Sequence, residues 1–272
     1  MLATRQDQER ATVGLDDVMG TDDALRRQVE RAVRDARIRC VGYESTDDRA
    51  QLEVLLAVLR AFGDEPAGLV YVEPTLADTT RRPPDVLLCH PDVGVVVFEV
   101  KGWLIEEIER IEAGTFWVRT RSGLQHRQPF IQVRDCMFQI RRAVERALNG
   151  ARAPLFTGLV VLANVRRKQW QQQGFDACVR HSELLLRDVV EQPKQFRAAV
   201  LAATRGPKGT GPQVALTAEQ LDAVERAFGT SAPLRVERAD RKARPQTLGA
   251  TIDELMNSYR VFTREQEKLS RL

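Results

Sequence analysis

Apolar positions recur along this chain with two periods, and the switches between the periods mark out the elements. Leu25, Val29 and Val33, four apart among arginines, predict a helix over 22–38. A second helix is sharper. Ser45 and Asp48 stand as a capping pair before Leu52, Leu55, Leu56, Leu59 and Phe62, and Gly63 ends the run. Short β-rich segments follow at 69–73, 85–89 and 94–100, then a hairpin over 104–120 that turns near Gly114. Helical spacing returns from 130 to 148 through Val133, Met137, Ile140, Val144 and Leu148, and Asn149-Gly150 stops it. The run 158–163 is a continuous apolar strand, 183–190 a further strand, and 193–204 and 216–228 are helices.

Helix, three strands, helix, strand is an α/β order, and it predicts a mixed sheet flanked by helices. Strands 94–100 and 158–163 are apolar on both faces, as central strands covered by helices require. Residues 1–43 read as an N-terminal helical extension, 206–250 as a helix and charged linker, and 251–272 as a helical tail. The stretch from Arg205 to Pro212 is a glycine-rich loop, but its lysine lacks the Ser or Thr of a Walker loop and no apolar strand leads into it.

Composition is that of a globular protein: 272 residues, 43% hydrophobic and 29% charged. No apolar run approaches the roughly 20 residues needed to cross a bilayer, and no basic start precedes an apolar stretch, so the expectation is a soluble, cytoplasmic protein without membrane contact. Cys40, Cys89, Cys136 and Cys178 are far apart, which fits reduced, mostly buried thiols and excludes the close pairs of zinc ribbons. His90, His126 and His181 are isolated as well and read as turn or surface residues. The net charge of +3 hides a segregation: residues 1–80 carry 10 basic and 16 acidic side chains, residues 115–170 carry 11 and 2. A basic block of that kind fits a phosphate backbone. Arginine outnumbers lysine 35 to 6, so a coding bias is the competing source of the charge.

Candidate chemistry concentrates in RRPPDVLLCHPDVGVVVFEVKGW, residues 81–103. His90-Pro-Asp-Val-Gly94 is turn-forming, so the flanking runs should pair as an antiparallel hairpin. A turn centred on Asp92 pairs residues equidistant from it, which sets Asp85 opposite Glu99. Lys101, two residues on, shares the face of Glu99. Apolar neighbours surround these three groups, and paired carboxylates beside a core demand neutralisation. Asp85, Glu99 and the carbonyl of Val100 are hard oxygen donors suited to Mg2+ or Mn2+. Lys101 would orient or help deprotonate a water, or offset charge on phosphate. The competing reading is a plain Glu99–Lys101 salt bridge.

Pro84-Asp85 and Glu99-Val100-Lys101 resemble the motif of the PD-(D/E)XK nucleases, and the form EVKGW is most similar to the nuclease-related domain (NERD) family. That resemblance implies a restriction-endonuclease-like αβββαβ core, placed over 44–205, and a metal-dependent hydrolase of DNA phosphodiester bonds. It implies that Pro129-Phe-Ile-Gln132 is the signature opening the next helix, with Gln132 in the site. It implies too that the helix ahead of the sheet contributes an acid, for which Glu53 is the best match and Glu44 the reserve.

Gln132, Asp135, Gln139, Arg142 and Arg146 form one polar stripe on the helix over 130–148, and with Arg134 and Arg141 they are candidates for contacting a phosphate backbone. A solvated face is the alternative. Trp103, Trp117 and Trp170 are candidates for base stacking or for core and rim packing. Phe262-Thr263-x-x-Gln266 resembles the Q motif of superfamily 1 helicases, so the tail reads either as the start of a fused helicase or as an amphipathic helix. Two functions therefore stand: a nuclease, or an inactive nuclease-fold module that binds nucleic acid in association with a helicase.

Overall fold

The structure is a computed structural model that describes residues 22–76, 83–179, 181–205 and 216–228. The glycine-rich stretch from 206, the charged linker from 229, the tail at 251–272 and residues 1–21 of the N-terminal extension lie outside the described residues.

A first helix, α1 (22–35), leads into a short strand, β1 (Arg39–Val41), which the sequence pattern does not announce. Helix α2 (Arg49–Phe62) begins where Asp48 accepts the Gln51 N–H at 3.1 Å and ends where the Gly63 N–H bonds the Leu59 carbonyl. Strands β2 (Leu69–Val72), β3 (Val86–His90) and β4 (Gly94–Lys101) follow. A separate three-stranded antiparallel sheet comes next, β5 (Ile108–Glu112), β6 (Thr115–Thr120) and β7 (Gly123–Arg127). Its third strand extends the expected hairpin. Helix α3 (Pro129–Ala147) opens with Pro129 in its first turn and crosses back to β8 (Phe156–Leu162). Then come α4 (Arg167–Gln172), β9 (Leu184–Leu186), α5 (Arg187–Val190), α6 (Pro193–Arg205) and α7 (Ala218–Phe228). The strand expected over 183–190 is thus three residues long and turns helical at Arg187.

The main sheet runs β1-β2-β3-β4-β8-β9 and is mixed. β1/β2, β4/β8 and β8/β9 are parallel, β2/β3 and β3/β4 antiparallel. This is an α/β fold consistent with a restriction-endonuclease-like core. Every residue of the central strand β4 is buried, because helices cover both sheet faces. On one face Val96, Phe98, Val100, Leu159 and Val161 meet α2 and α6. On the other, Val95, Val97, Val160 and Leu162 meet α3, α7 and the inner side of the small sheet. Core material therefore reaches beyond 44–205 on both sides: Val29 of α1 and Val224 and Phe228 of α7 are buried within it. Among the described residues no helix is long and apolar enough to cross a membrane.

Candidate active site

The β3–β4 register fixes the site. Val86 faces Phe98 and His90 faces Gly94, the pairing that a turn centred on Asp92 dictates. Gly94 makes that turn at φ 75, where a Cβ would lie 2.5 Å from the Leu155 carbonyl oxygen. Alternation then sorts the side chains. Val95 and Val97 enter the α3-facing core, so Glu99 and Lys101 share that face at the end of β4, and Asp85 shares it with Leu87 and Cys89. All three ionisable groups are buried, at 2%, 3% and 8% exposure for Asp85, Glu99 and Lys101.

Their contacts are specific. Asp85 Oδ2 accepts the Val100 N–H at 2.7 Å, and the Lys101 ammonium pairs with Glu99. A strand residue directs its N–H and C=O to the same edge, so the Val100 carbonyl also turns toward the β3 side. The ladder stops at the Val86–Phe98 pair, and Pro84, two residues before Val86, has no N–H to offer that carbonyl. The register thus sets two carboxylates on one face, and one carbonyl on the adjoining edge, where the ladder ends. Among the described residues no three His, Cys, Asp or Glu side chains gather in a metal-holding group. The donor set nevertheless fits a hard cation such as Mg2+, which takes few protein oxygens and keeps water or phosphate in its other positions.

From the other side of the sheet, α2 reaches the site with a residue that motif reasoning misses. Gln51, 5% exposed, donates from Nε2 to Asp85 Oδ1 at 3.1 Å and to Glu73 Oε1 at 3.3 Å. Its amide oxygen accepts the Thr46 hydroxyl at 2.6 Å, which sets the amide's orientation. Glu73 follows β2 at φ 47 and donates its N–H to the Asp85 carbonyl at 3.1 Å, so a further carboxylate borders the pair. The first turn of α2, the positive end of its dipole, faces these anions. A glycine helps bring it there: a Cβ on Gly102 would meet the Ala50 Cβ at 3.3 Å. Glu73 could be read from the sequence only with the β2–β3 register, which the long 73–85 connection leaves open. Gln51, three residues after the cap, looks in sequence like part of a capping box.

Glu53 does not join the pair. It bonds Arg49 at 3.1 Å and lines a cavity of about 150 Å3 with Ala163, Arg187 and Glu191, on the face opposite Glu99 and Lys101. The helical repeat explains it, since two residues turn the side chain by about 200° from Gln51. Glu44 is exposed in a short 3-10 turn, Tyr43–Ser45, where its charge acts on Tyr43 and Cys40.

Helix α3 closes the site from the other side. Burial, with Glu99 and Asp85 nearby, pushes the Cys136 thiol up to about 12, so this residue faces the carboxylates. Half-buried Gln132 lies four residues earlier on the same face. Arg134, Arg141, Arg142 and Arg146 are all exposed, and Arg141 pairs with Glu145 at 2.7 Å. Beside them the helix exposes two apolar groups, Ile131 and Phe138. Trp103 stands with its ring centroid 6.0 Å from Lys101 Nζ, while Trp170 is fully buried.

Residues 54–163 match the family model for the nuclease-related domain, NERD. The match spans the hairpin, Glu99, Lys101, α3 and β8, and it suggests nuclease-related chemistry with nucleic acid as the partner class. Neither the curated proteins nor the solved structures give a match.

Proposed function

We propose, of a chain that carries a nuclease-related domain at residues 54–163, that it hydrolyses DNA phosphodiester bonds with Mg2+ or Mn2+. What supports this most is the β3–β4 register, which sets Asp85, Glu99 and the Val100 carbonyl at one strand end, with Lys101 paired to Glu99. Asp85, Glu99 and Val100 would hold the metal. When bound, it supplies charge that makes water a better nucleophile and offsets negative charge building on the phosphate.

The chain's own groups do the rest. Gln51 keeps Asp85 Oδ1 in place while the Val100 N–H fixes Oδ2, so the carboxylate needs no reorganisation to act as a donor. Lys101 places an ammonium next to Glu99, where it positions the attacking water or takes up charge from the phosphate. Gln132, at the start of α3, adds a neutral amide on the same side. Arg142 and Arg146, at helical spacings beyond it, would neutralise successive phosphates, with Arg134 and Arg141 on the neighbouring row.

The test is cleavage of supercoiled, linear and single-stranded DNA across a metal titration. Cleavage should require Mg2+ or Mn2+, stop with EDTA, and fall about 10²-fold or more in Lys101→Met. Cleavage that survives EDTA, or that Lys101→Met leaves untouched, overturns the mechanism. One observation favours a second reading, a nuclease fold that binds nucleic acid for a fused or separate superfamily 1 helicase. The Lys101 ammonium pairs with Glu99 and offsets its charge. Salt-dependent DNA binding without turnover would select it.

A further inference from the structure

The small sheet β5–β6–β7 has an inner and an outer side. Ile108, Ile111, Phe116 and Val118 are buried against α3 and α4. The outer side follows from the register: Arg110 faces Trp117, Trp117 faces His126, and Arg119 faces Leu124. Across it the Arg110 guanidinium lies over the Trp117 ring, 3.8 Å from its centroid, and the His126 ring stands 3.6 Å away on the other strand. Arg110 and His126 are exposed and Trp117 is half-buried. Leu124 is 44% exposed beside them. The Trp117 indole Nε1 has no hydrogen-bond partner.

We infer that this row, Arg110, Trp117 and His126, is a stacking platform for the unpaired bases of a single DNA strand. Held against the Trp117 ring, the exposed Arg110 guanidinium and His126 ring offer planar groups to any base, since every base has a π face. The charge is complementary to a phosphate chain: residues 108–127 hold four arginines against two glutamates. The inner side of the same strand packs beside the candidate site. Phe116, next to Trp117 in β6, lies 5.5 Å from Trp103, the ring beside Lys101. The inference deepens the nuclease reading and rests on it for the ligand's identity.

The test is fluorescence anisotropy in EDTA, where no metal-dependent cleavage occurs, using a labelled single strand and the same sequence as a duplex. Arg110→Ala and His126→Ala change exposed residues, and Trp117→Phe keeps a ring where Trp117→Ala removes it. We expect Trp117→Ala to weaken single-strand binding about tenfold, Trp117→Phe to restore most of it, and duplex binding to change less than about twofold. Single-strand affinity unchanged in Arg110→Ala, His126→Ala and Trp117→Ala overturns the platform, as does equal weakening for strand and duplex. The two readings fail separately. A wild-type chain that cleaves DNA while all the variants bind normally retains the nuclease and loses the platform. A chain that never cleaves but binds single strands through Trp117 retains the platform alone.

Discussion

Burying a carboxylate costs several kcal/mol unless it is paired, and each acid of the site has its own solution. Glu99 takes Lys101, and Asp85 takes a backbone N–H and the Gln51 amide. The pairing makes alanine substitution a blunt tool: removing one partner of a buried ion pair strands the other, at about 3–5 kcal/mol. Near-isosteric changes such as Glu99→Gln are the better probes. His90 offers a pH test away from the site. Burial holds its pKa below 6.5, and its Nδ1 accepts the Asp92 N–H at 3.1 Å, which a proton there would break. The unfolded chain therefore takes up a proton more readily. Stability is fully present above pH 6.5 and is lost as pH falls from 6.5 toward the folded-state value. Thermal melts between about pH 8 and about pH 5 should show that loss, and His90→Gln should remove part of the slope. Equal slopes in the two proteins would contradict it.

At the scale of elements, the β3–β4 hairpin carries the most information, and most of it was legible in the sequence. Turn residues gave the register of Val86–His90 on Gly94–Phe98, which puts Asp85 and Glu99 just past its last pair, and alternation placed Lys101. Helices α2 and α3 were legible through their apolar stripes and caps. What could not be read was which face of α2 the sheet would claim. Glu53 and Gln51 are both polar among leucines, and only tertiary packing decides that the amide reaches the acids. Strands β1 and β7 escaped for a related reason: each is short and mixed in polarity, and each gains its strand state by pairing with a neighbour. The turn itself is testable. Gly94 combines positive φ with a backbone oxygen 2.5 Å from where an added methyl would sit, so Gly94→Ala should lower stability by about 1–3 kcal/mol in urea unfolding. No loss would mean that the turn relaxes without cost.

Over the whole molecule, the acidic block and the basic block serve different layers. The acidic block supplies α1, α2 and Glu73, the carboxylate that Gln51 ties to the border of the site. The arginine-rich block supplies β6 and β7 of the small sheet, α3 and β8, which border the face that carries Glu99 and Lys101. Net charge alone conveys none of this, because the two blocks nearly cancel. The central claim is that Asp85 and Glu99 together hold a divalent cation on that face. Its most direct measurement is Mn2+ binding to the purified full chain by electron paramagnetic resonance, for wild type, Asp85→Asn and Glu99→Gln. The account predicts saturable binding in the wild type and at least about tenfold weaker binding in each variant, as loss of one of two anionic donors implies. Mn2+ binding of equal strength in all three proteins would contradict it.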